Sequence, residues 1–269
     1  MTSQSYTGKH VVITGGSSGI GLAVAKLYAS QGAFVTIIGR DKAKLDSAIR
    51  ELPNLSRVLG LSADVANRDE LNLVMLRASE EFETPDVLVC SAGIARPDYF
   101  EELHPEHFKE AMDINFHGTE NAVRSVLSRM KSAGRGHIVL MSSGAALIGL
   151  FGYTAYGASK FAVRGFGESL NVELADSPIV VSIVYPADVD TPQLAQENET
   201  KPPELKSLTG SSKPWTAEAT ARLIVRGVER KRFVITKGVE MHLLVHGHSL
   251  LGPLLRKYFK LVARKAQRD

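Results

Sequence analysis

Six short apolar runs recur along the chain, and a segment with helical spacing follows most of them. The runs span residues 10–15, 34–39, 57–64, 86–93, 136–143 and 179–186, and the helical segments span 19–31, 41–51, 68–82, 105–132 and 154–175. The runs are continuously apolar rather than alternating, which is typical of strands covered on both faces. The alternation of runs and helices therefore predicts right-handed βαβ units and an α/β fold with a Rossmann-type, doubly wound parallel sheet.

The length of the chain, 269 residues, fits a single α/β domain with a C-terminal helical extension. Residues 1–238 form the predicted dinucleotide-binding and catalytic domain, which ends in a further helix at 216–230 and a short strand at 232–236. Within it, residues 193–214 are polar and rich in proline, which predicts a long loop or a mobile lid. Residues 239–269 form the predicted extension, which is basic and amphipathic.

Composition and charge narrow the classes of function. The formal net charge of +3 is too small to indicate nucleic-acid binding by itself. The single cysteine, Cys90, excludes an internal disulfide and suits a reducing compartment. The polar N-terminus is unlike a secretory signal, and no apolar run approaches the ~20 residues of a membrane-spanning helix. We therefore expect a cytoplasmic protein that at most contacts a membrane surface peripherally.

The turn between the first strand and the first helix is rich in glycine. Glycine there permits a tight turn and lets a pyrophosphate approach backbone N–H groups, while the helix N-terminus adds partial positive charge. The turn has no lysine followed by Ser or Thr, which an ATP-hydrolysing P-loop requires. A purely structural turn is the alternative, but the strand–turn–helix context favours a dinucleotide site. The predicted binding residues of this turn are Gly15, Ser17, Ser18, Gly19, Ile20 and Gly21.

The end of the second strand indicates which dinucleotide binds. NAD-preferring sites commonly carry an acidic residue there, which accepts a hydrogen bond from the ribose 2′-hydroxyl. This chain instead has Gly39 and Arg40, with Lys44 one helical turn later. A guanidinium is a rigid fork suited to a 2′-phosphate, and an ammonium adds a point charge, so NADPH (NADP+) is the predicted cofactor. The alternative is a solvated basic helix start that Asp41 caps.

A tyrosine and a lysine four residues apart lie in the predicted helix at 154–175. Positions i and i+4 share a helix face, so Tyr156 and Lys160 can serve one site. A phenol has an ordinary pKa of ~10, which a nearby ammonium is expected to lower toward the range of a general acid/base. Ser143, thirteen residues before the tyrosine, can polarise the same carbonyl oxygen. Tyr153 has no lysine four residues later and is expected to line the substrate pocket.

The pattern Thr-Gly-x-x-x-Gly-x-Gly at Thr14–Gly21, followed in order by the serine, tyrosine and lysine, resembles the short-chain dehydrogenase/reductase family. The resemblance covers about residues 8–235, which makes a chance Tyr-x-x-x-Lys pair on a solvated helix face a poor explanation. It implies that Asn115 completes a catalytic tetrad by helping to hold Lys160 through water. It also implies cofactor contacts at Asp64, Val65, Ala92, Gly93, Tyr156, Lys160, Pro186, Val189 and Thr191.

Two segments depart from the family pattern. Residues 90–95, "CSAGIA", stand where many members have Asn-Asn-Ala-Gly, but Ala92 and Gly93 keep the expected backbone role beside the cofactor. Pro186-Ala187 replaces the usual Pro-Gly, so we expect an altered backbone in the loop that faces the nicotinamide. Asp64 also has an alternative role as a helix N-cap.

Residues 185–206 bear on the substrate. Their order of Asp-x-Asp-Thr-Pro, Glu-Asn-x-Thr-Lys-Pro and a following glutamate is similar to the 3-ketodihydrosphingosine reductases, a subgroup of the family. That resemblance implies NADPH-dependent reduction of the 3-keto group of a long-chain sphingoid base in sphingolipid synthesis. Alternative substrates are a 3-ketoacyl thioester, a steroid or a small ketone. A non-catalytic NADPH-binding sensor or scaffold is the alternative class.

The C-terminal residues 250–269 combine leucines and aromatics with basic side chains, at Arg256, Lys257, Lys260, Arg264, Lys265 and Arg268. A basic, amphipathic segment can lie in a membrane interface without spanning it. An ordinary packing helix or a dimer contact with a solvated basic face is the alternative.

No metal and no nucleic acid are predicted as partners. The three histidines between positions 242 and 248 lack acidic or cysteine ligands spaced nearby. The family resemblance implies a homo-oligomer, a dimer or tetramer, formed through the helices at 105–132 and 154–175.

Overall fold

The computed structural model describes residues 6–209 and 213–267 of the chain. Within these ranges the strands are β1 (His10–Thr14), β2 (Phe34–Gly39), β3 (Val58–Ser62), β4 (Val87–Cys90), β5 (Gly136–Met141), β6 (Ile179–Val184), β7 (Val189–Asp190), β8 (Trp215–Thr216) and β9 (Val234–Ile235). Seven of them form one sheet in the order β3-β2-β1-β4-β5-β6-β9, with every neighbouring pair parallel. β7 and β8 form a separate parallel pair. The predicted parallel sheet is confirmed.

Helices connect the strands and cover both faces of the sheet. In the described ranges they are α1 (Gly19–Ser30), α2 (Lys42–Arg50), α3 (Arg68–Phe82), α4 (Pro105–Ala111), α5 (Gly118–Ser132), α6 (Thr154–Glu173), α7 (Pro192–Thr200), α8 (Pro203–Thr209), α9 (Ala217–Glu229) and α10 (Val239–Ala266). A π-helical turn at Met112–His117 joins α4 to α5, so the segment predicted as one helix at 105–132 is continuous but bulged.

Strand β4 shows how the sheet is buried on both faces. Leu88 and Cys90 pack into the apolar cluster that includes side chains of α3, α5 and α6, whereas Val87 and Val89 pack into the cluster beneath α1 and α9. Successive side chains of a strand point to opposite faces, which is why the run is apolar throughout. The strand order reverses between β1 and β4, and ligands of such sheets bind at that point, outside the carboxyl ends of the strands.

The predicted loop at 193–214 is wrong for most of its length, because α7 and α8 occupy it. Each of these helices begins at a proline, whose fixed φ and missing N–H suit the first helical turn. Thr191 caps α7 by accepting a hydrogen bond from the Leu194 N–H at 3.3 Å. The prolines of this segment therefore start helices, whereas the interpretation of the sequence treated them as helix breakers. Residues 210–212 of the predicted loop lie outside the described residues.

The predicted C-terminal extension is a 28-residue helix, α10. It packs against α8, and Met241, Leu244 and Val245 pack against the core. No helix in the described ranges is both long enough and apolar enough to cross a membrane. Arg268 of the basic cluster lies outside the described residues, as do residues 1–5 and 269.

Candidate active site

A cavity of about 420 Å³ lies at the carboxyl ends of β1, β4, β5 and β6. Its size falls in the ordinary range of ligand pockets, about 300–1,000 Å³. The loops after these strands, together with parts of α7 and α10, line it. The predicted site residues that line the cavity are Gly15, Ser17, Ser18, Gly19, Ile20, Ala92, Gly93, Ser143, Tyr156, Pro186, Val189 and Thr191.

The turn after β1 is packed so closely that two of its glycines admit no side chain. Gly15 has a φ of +69°, and a Cβ there would lie 2.7 Å from backbone atoms of Ala92. A Cβ on Gly21 would lie 2.3 Å from the Gly15 carbonyl oxygen. The bare backbone and the N-terminus of α1 fit the pyrophosphate of a dinucleotide, which needs close approach to backbone N–H groups.

Exposed basic groups lie beyond the end of β2. Arg40 Nη1 is 3.8 Å from Asp64 Oδ2, and the guanidinium side chain is 57% exposed. Asp41 caps α2 by accepting a hydrogen bond from the Lys44 N–H at 3.0 Å. The cap proposed as the alternative explanation is therefore present, and it leaves Arg40 and Lys44 exposed to meet a phosphate.

Asp64 and Val65 form a short turn after β3. Asp64 Oδ1 accepts a hydrogen bond from the Ala66 N–H at 3.0 Å, and the N-cap of α3 is Asn67, so the alternative role of Asp64 as that N-cap is wrong. Val65 is buried, and its carbonyl oxygen accepts a hydrogen bond from Asn121 Nδ2 at 3.0 Å. Within the described part of the chain, neither this turn nor the basic pair after β2 contributes to the cavity wall.

Tyr156 lines the cavity beside Ser143, and Lys160 lies on the same helix, α6. Lys160 Nζ is 5.7 Å from the centroid of the Tyr156 ring and donates a hydrogen bond to the Met141 carbonyl oxygen at 2.9 Å. Burial lowers the pKa of Lys160 to about 8, while the negative charge of Glu197 acts in the opposite direction. The fold thus brings the predicted serine, tyrosine and lysine into one site.

The proton of Tyr156 is held more tightly than the sequence leads one to expect. Burial raises the pKa of Tyr156 above its ordinary value, and the negative charge of Glu197 raises it further, while the interaction with Ser143 lowers it. The expected lowering of this pKa by Lys160 is wrong, because desolvation disfavours the phenolate and the neighbour that lowers the pKa is Ser143. At neutral pH the phenol is therefore protonated, which is the form that can donate a proton.

The π-helical turn carries Asn115 toward the loop after β4. Asn115 Oδ1 accepts a hydrogen bond from the Ile94 N–H at 2.8 Å, and its Nδ2 donates to the Ile94 carbonyl oxygen at 2.9 Å and to Ser159 Oγ at 2.8 Å. A Cβ on Gly93 would lie 3.1 Å from Asn115 Oδ1 and 3.4 Å from Lys160 Nζ. Gly93 therefore lies between the amide and the ammonium. Such π-bulges are frequent at functional sites.

The loop after β6 faces the glycine turn. A Cβ on Gly19 would lie 3.2 Å from Thr191 Cγ2, and the Pro186 carbonyl oxygen accepts a hydrogen bond from the Gly144 N–H at 3.3 Å. This loop therefore joins the glycine turn to the segment that follows Ser143, and the cofactor and catalytic halves of the site share one wall.

Comparison with known proteins identifies the family. The family model described as short chain dehydrogenase matches residues 9–202. The chain belongs to the short-chain dehydrogenase/reductase family. The family resemblance inferred from the sequence is thereby confirmed.

Several members of this family are similar to the chain over most of its length. The 3-dehydrosphinganine reductase of Danio rerio is 40% identical over 88% of this chain and 73% of that protein. The 3-ketodihydrosphingosine reductase of Bos taurus is 38% identical over the same shares, and that of Dictyostelium discoideum is 33% identical over 95% of this chain and 82% of its own. A short chain dehydrogenase/reductase from Burkholderia phymatum, solved in complex with NAD, has a TM-score of 0.76 at 25% identity and covers 87% of this chain and 90% of its own.

The cavity of this short-chain dehydrogenase/reductase also contains a buried carboxylate that the sequence did not indicate. Glu197 of α7 is 6% exposed and lines the cavity. Its Oε2 accepts a hydrogen bond from the Tyr153 hydroxyl at 2.5 Å, and its Oε1 accepts one from Gln193 Nε2 at 2.9 Å. Tyr153 lines the cavity too, with its ring centroid 4.9 Å from that of Tyr156. Glu197 is the first residue of the Glu-Asn-x-Thr-Lys-Pro pattern, but the sequence gives it no role, because only the fold turns α7 toward α6.

The groups of the site define what it can do chemically. It offers the Tyr156 phenol as proton donor, the Ser143 hydroxyl beside it and the buried Lys160 ammonium 5.7 Å from the centroid of the phenol ring. Among the described residues, no set of three or more His, Cys, Asp or Glu side chains is placed to hold a metal ion. The arrangement therefore suits binding of a dinucleotide next to a carbonyl group that gains a proton.

Proposed function

We propose that this short-chain dehydrogenase/reductase uses NADPH to reduce the 3-keto group of a long-chain sphingoid base, converting 3-ketodihydrosphingosine to dihydrosphingosine in sphingolipid synthesis. One observation supports this choice of substrate. Three relatives named as reductases of this ketone match 88–95% of the chain at 33–40% identity. The phenol, hydroxyl and ammonium of the cavity support a catalyst over a sensor, because cofactor binding alone needs neither Tyr156 nor Ser143.

A nicotinamide cofactor fits the cavity. The close contacts at Gly15 and Gly21 leave backbone N–H groups bare for a pyrophosphate, and a structural relative was solved with NAD. When bound, the cofactor supplies the hydride that reduces the carbonyl carbon. NADPH is proposed over NADH because the exposed cationic side chains of Arg40 and Lys44 suit a 2′-phosphate.

The chain's own residues supply the proton and stabilise the charge. Tyr156 donates its proton to the ketone oxygen as negative charge develops there, a role worth about 10²–10⁴-fold in rate. Ser143, whose Oγ accepts a hydrogen bond from the Ala145 N–H at 3.2 Å, lies beside Tyr156 and stabilises the charge on the same oxygen. Lys160 stabilises the phenolate left behind. Asn115 fixes the loop at Ile94 and adjoins Lys160 across Gly93.

A substrate panel with NADPH and NADH in parallel tests this proposal. We expect oxidation of NADPH with 3-ketodihydrosphingosine to exceed that with an acetoacetyl thioester, a steroid ketone or a small ketone, and to exceed oxidation of NADH with any of them. Preference for another ketone would replace the proposed substrate. Binding of NADPH, followed by its fluorescence, with no turnover on any ketone would support the sensor instead.

We also propose that the protein is cytoplasmic and contacts a membrane surface peripherally through α10. Six exposed apolar side chains lie within an arc of about 100° on this helix, at 3.6 residues per turn. This outer stripe consists of Val239, Leu243, Leu250, Leu254, Tyr258 and Leu261. Exposed Arg256, Lys260 and Arg264 lie along one edge of it, and exposed Lys257 and Lys265 lie within the same arc. Exposed apolar side chains with basic side chains beside and among them suit a helix that lies in an anionic lipid interface.

A homo-oligomer, a dimer or tetramer, is proposed as the state of the protein in solution. The support is the family membership together with the exposed Phe161 and Val172 on α6. Light scattering on the purified protein should give two or four times the 29.2 kDa of one chain. A mass equal to one chain would contradict the proposal.

A further inference from the structure

Glu197 places a carboxylate in the wall of the cavity, next to Tyr153 and Tyr156 at the start of α6. It is 6% exposed, whereas most glutamates of a globular protein lie in water. Burying a carboxylate costs free energy unless hydrogen bonds and a positive charge compensate it. Glu197 lines a space large enough for a ligand, so a ligand can complete that compensation.

The protein groups that contact this carboxylate are neutral. They are the Tyr153 hydroxyl and the Gln193 amide, at 2.5 and 2.9 Å. Among the residues that the structure describes, the ion pairs do not include Glu197. Asp188, which also lines the cavity, has Lys201 Nζ 3.6 Å from its Oδ2. The Lys160 ammonium, whose pKa the charge of Glu197 raises, donates to the Met141 carbonyl oxygen and forms no ion pair with Glu197 in the described structure. A cationic ligand group in the cavity would therefore meet Glu197.

Glu197 is also close to the reacting atoms. The Tyr153 hydroxyl that contacts it belongs to a ring 4.9 Å, centroid to centroid, from the Tyr156 ring. After burial, its charge is the next cause that raises the pKa of Tyr156. A positive group bound at Glu197 would consequently lie beside the carbonyl oxygen that Tyr156 protonates.

We propose that Glu197 binds the ammonium group of a 2-amino ketone and so selects amino ketones over plain ketones. The inference rests on the proposed function, since a sphingoid ketone carries an amine on the carbon next to its carbonyl. An α-amino group has an ordinary pKa of about 7.7–8.0, so the ammonium form is abundant at neutral pH. Its charge-assisted hydrogen bond to the carboxylate positions the adjacent carbonyl at Ser143 and Tyr156.

Ammonium binding has a second effect on the same site. It offsets the negative charge that raises the pKa of Tyr156, so the phenol becomes a better proton donor when the amino substrate is bound. A ketone without the amine leaves that charge in place. Glu197 therefore favours the amino ketone both in binding and in the proton transfer.

The test compares long-chain molecules that differ only in the amine. Reduction is measured with 3-ketodihydrosphingosine against 1-hydroxyoctadecan-3-one, and binding with dihydrosphingosine against octadecane-1,3-diol in the presence of NADP+. We expect the wild-type protein to favour the amino member of each pair and Glu197→Gln to reduce that preference by about 10- to 100-fold. Glutamine keeps the size of the side chain and an acceptor for the Tyr153 hydroxyl, and thermal unfolding checks that the variant is folded.

Glu204→Gln is the matched control. Glu204 is equally buried and accepts a hydrogen bond from the Tyr99 hydroxyl at 3.1 Å, but it is not part of the cavity wall in the described structure. The Glu204→Gln variant should prefer the amino member of each pair by the same factor as the wild type.

The outcomes separate this inference from the proposed function. A preference that is unchanged in Glu197→Gln, in both reduction and binding, would overturn amine recognition. If the amino ketone is not reduced while Glu197→Gln still abolishes preferential binding of the amino diol, amine recognition stands and the proposed substrate is wrong.

Discussion

Two tyrosines three residues apart, Tyr153 at the N-cap of α6 and Tyr156 in its first turn, differ in their partners. Tyr156 adjoins Ser143 and Lys160, whereas the Tyr153 hydroxyl is occupied by Glu197. Tyr156→Phe should lower kcat by about 10²–10⁴-fold, because no acid then remains at the carbonyl oxygen. Tyr153→Phe removes a hydrogen bond to the Glu197 carboxylate but leaves the acid in place, and should lower kcat by less than about tenfold. Single-turnover rates at saturating NADPH measure both, and equal losses would contradict the assignment of the acid.

We expect Arg40 to determine the preference for NADPH over NADH. Its guanidinium is exposed and only loosely paired with Asp64, at 3.8 Å, so it is available to a 2′-phosphate. Arg40→Ala should raise KM for NADPH by about 10- to 100-fold and change KM for NADH little. Arg50→Ala, at the other end of α2, is the control for loss of an exposed positive charge. Equal changes of KM with both cofactors would argue against a phosphate contact.

At the scale of residues, the sequence predicts groups whose spacing alone brings them together. Tyr156 and Lys160 are four residues apart on one helix, so their proximity follows from the helix itself. Glu197 lies in a different helix, and its burial depends on how α7 packs, which no local pattern encodes. The direction of the pKa shift of Tyr156 was predicted wrongly for the same reason, since the burial that raises this pKa depends on the whole fold.

At the scale of elements, the outer stripe of α10 should control binding to lipid. Leu250→Glu together with Leu254→Glu places two negative charges in the stripe and should weaken binding to vesicles containing anionic lipid by more than about tenfold. Leu73→Glu on α3 also changes an exposed leucine and serves as the control. Co-sedimentation with vesicles measures the bound fraction. Equal binding of the wild type and the double variant would rule out the stripe as the contact.

The elements themselves were predictable where periodicity is strong. Continuous apolar runs such as β4 predict strands covered on both faces, and the alternation of these runs with helices predicts the parallel sheet. The helices α7 and α8 were not recognised, because their prolines stand at first-turn positions that look like breaks. The π-helical bulge at Met112–His117 could not be predicted from the sequence, since it depends on how α5 and α6 pack around Asn115.

At the scale of the whole molecule, acid should destabilise the sheet through two buried histidines. His10 of β1 and His137 of β5 are almost fully buried, and burial lowers the pKa of each from 6.5 to about 4. Between these pH values the unfolded chain binds more protons than the folded one. The free energy of unfolding should therefore fall as pH drops from 6.5 to 4, by about 3 kcal/mol for each histidine.

Urea unfolding at a series of pH values between about 7 and 4 measures this dependence. A variant carrying His10→Gln and His137→Gln should show a shallower fall, whatever its stability at neutral pH. The same pH dependence in the variant and the wild type would show that other groups cause the acid sensitivity.

The proposed contact of α10 with lipid has a consequence for the kinetics of the enzyme. Met241, Leu244 and Phe259 line the cavity from one side of this helix, while the outer stripe lies on its opposite side. An enzyme resting on lipid by that stripe meets a bilayer-dissolved ketone by lateral diffusion in two dimensions. Its velocity then follows the mole fraction of the ketone in the lipid, and the amount of ketone per volume of water ceases to be the governing variable.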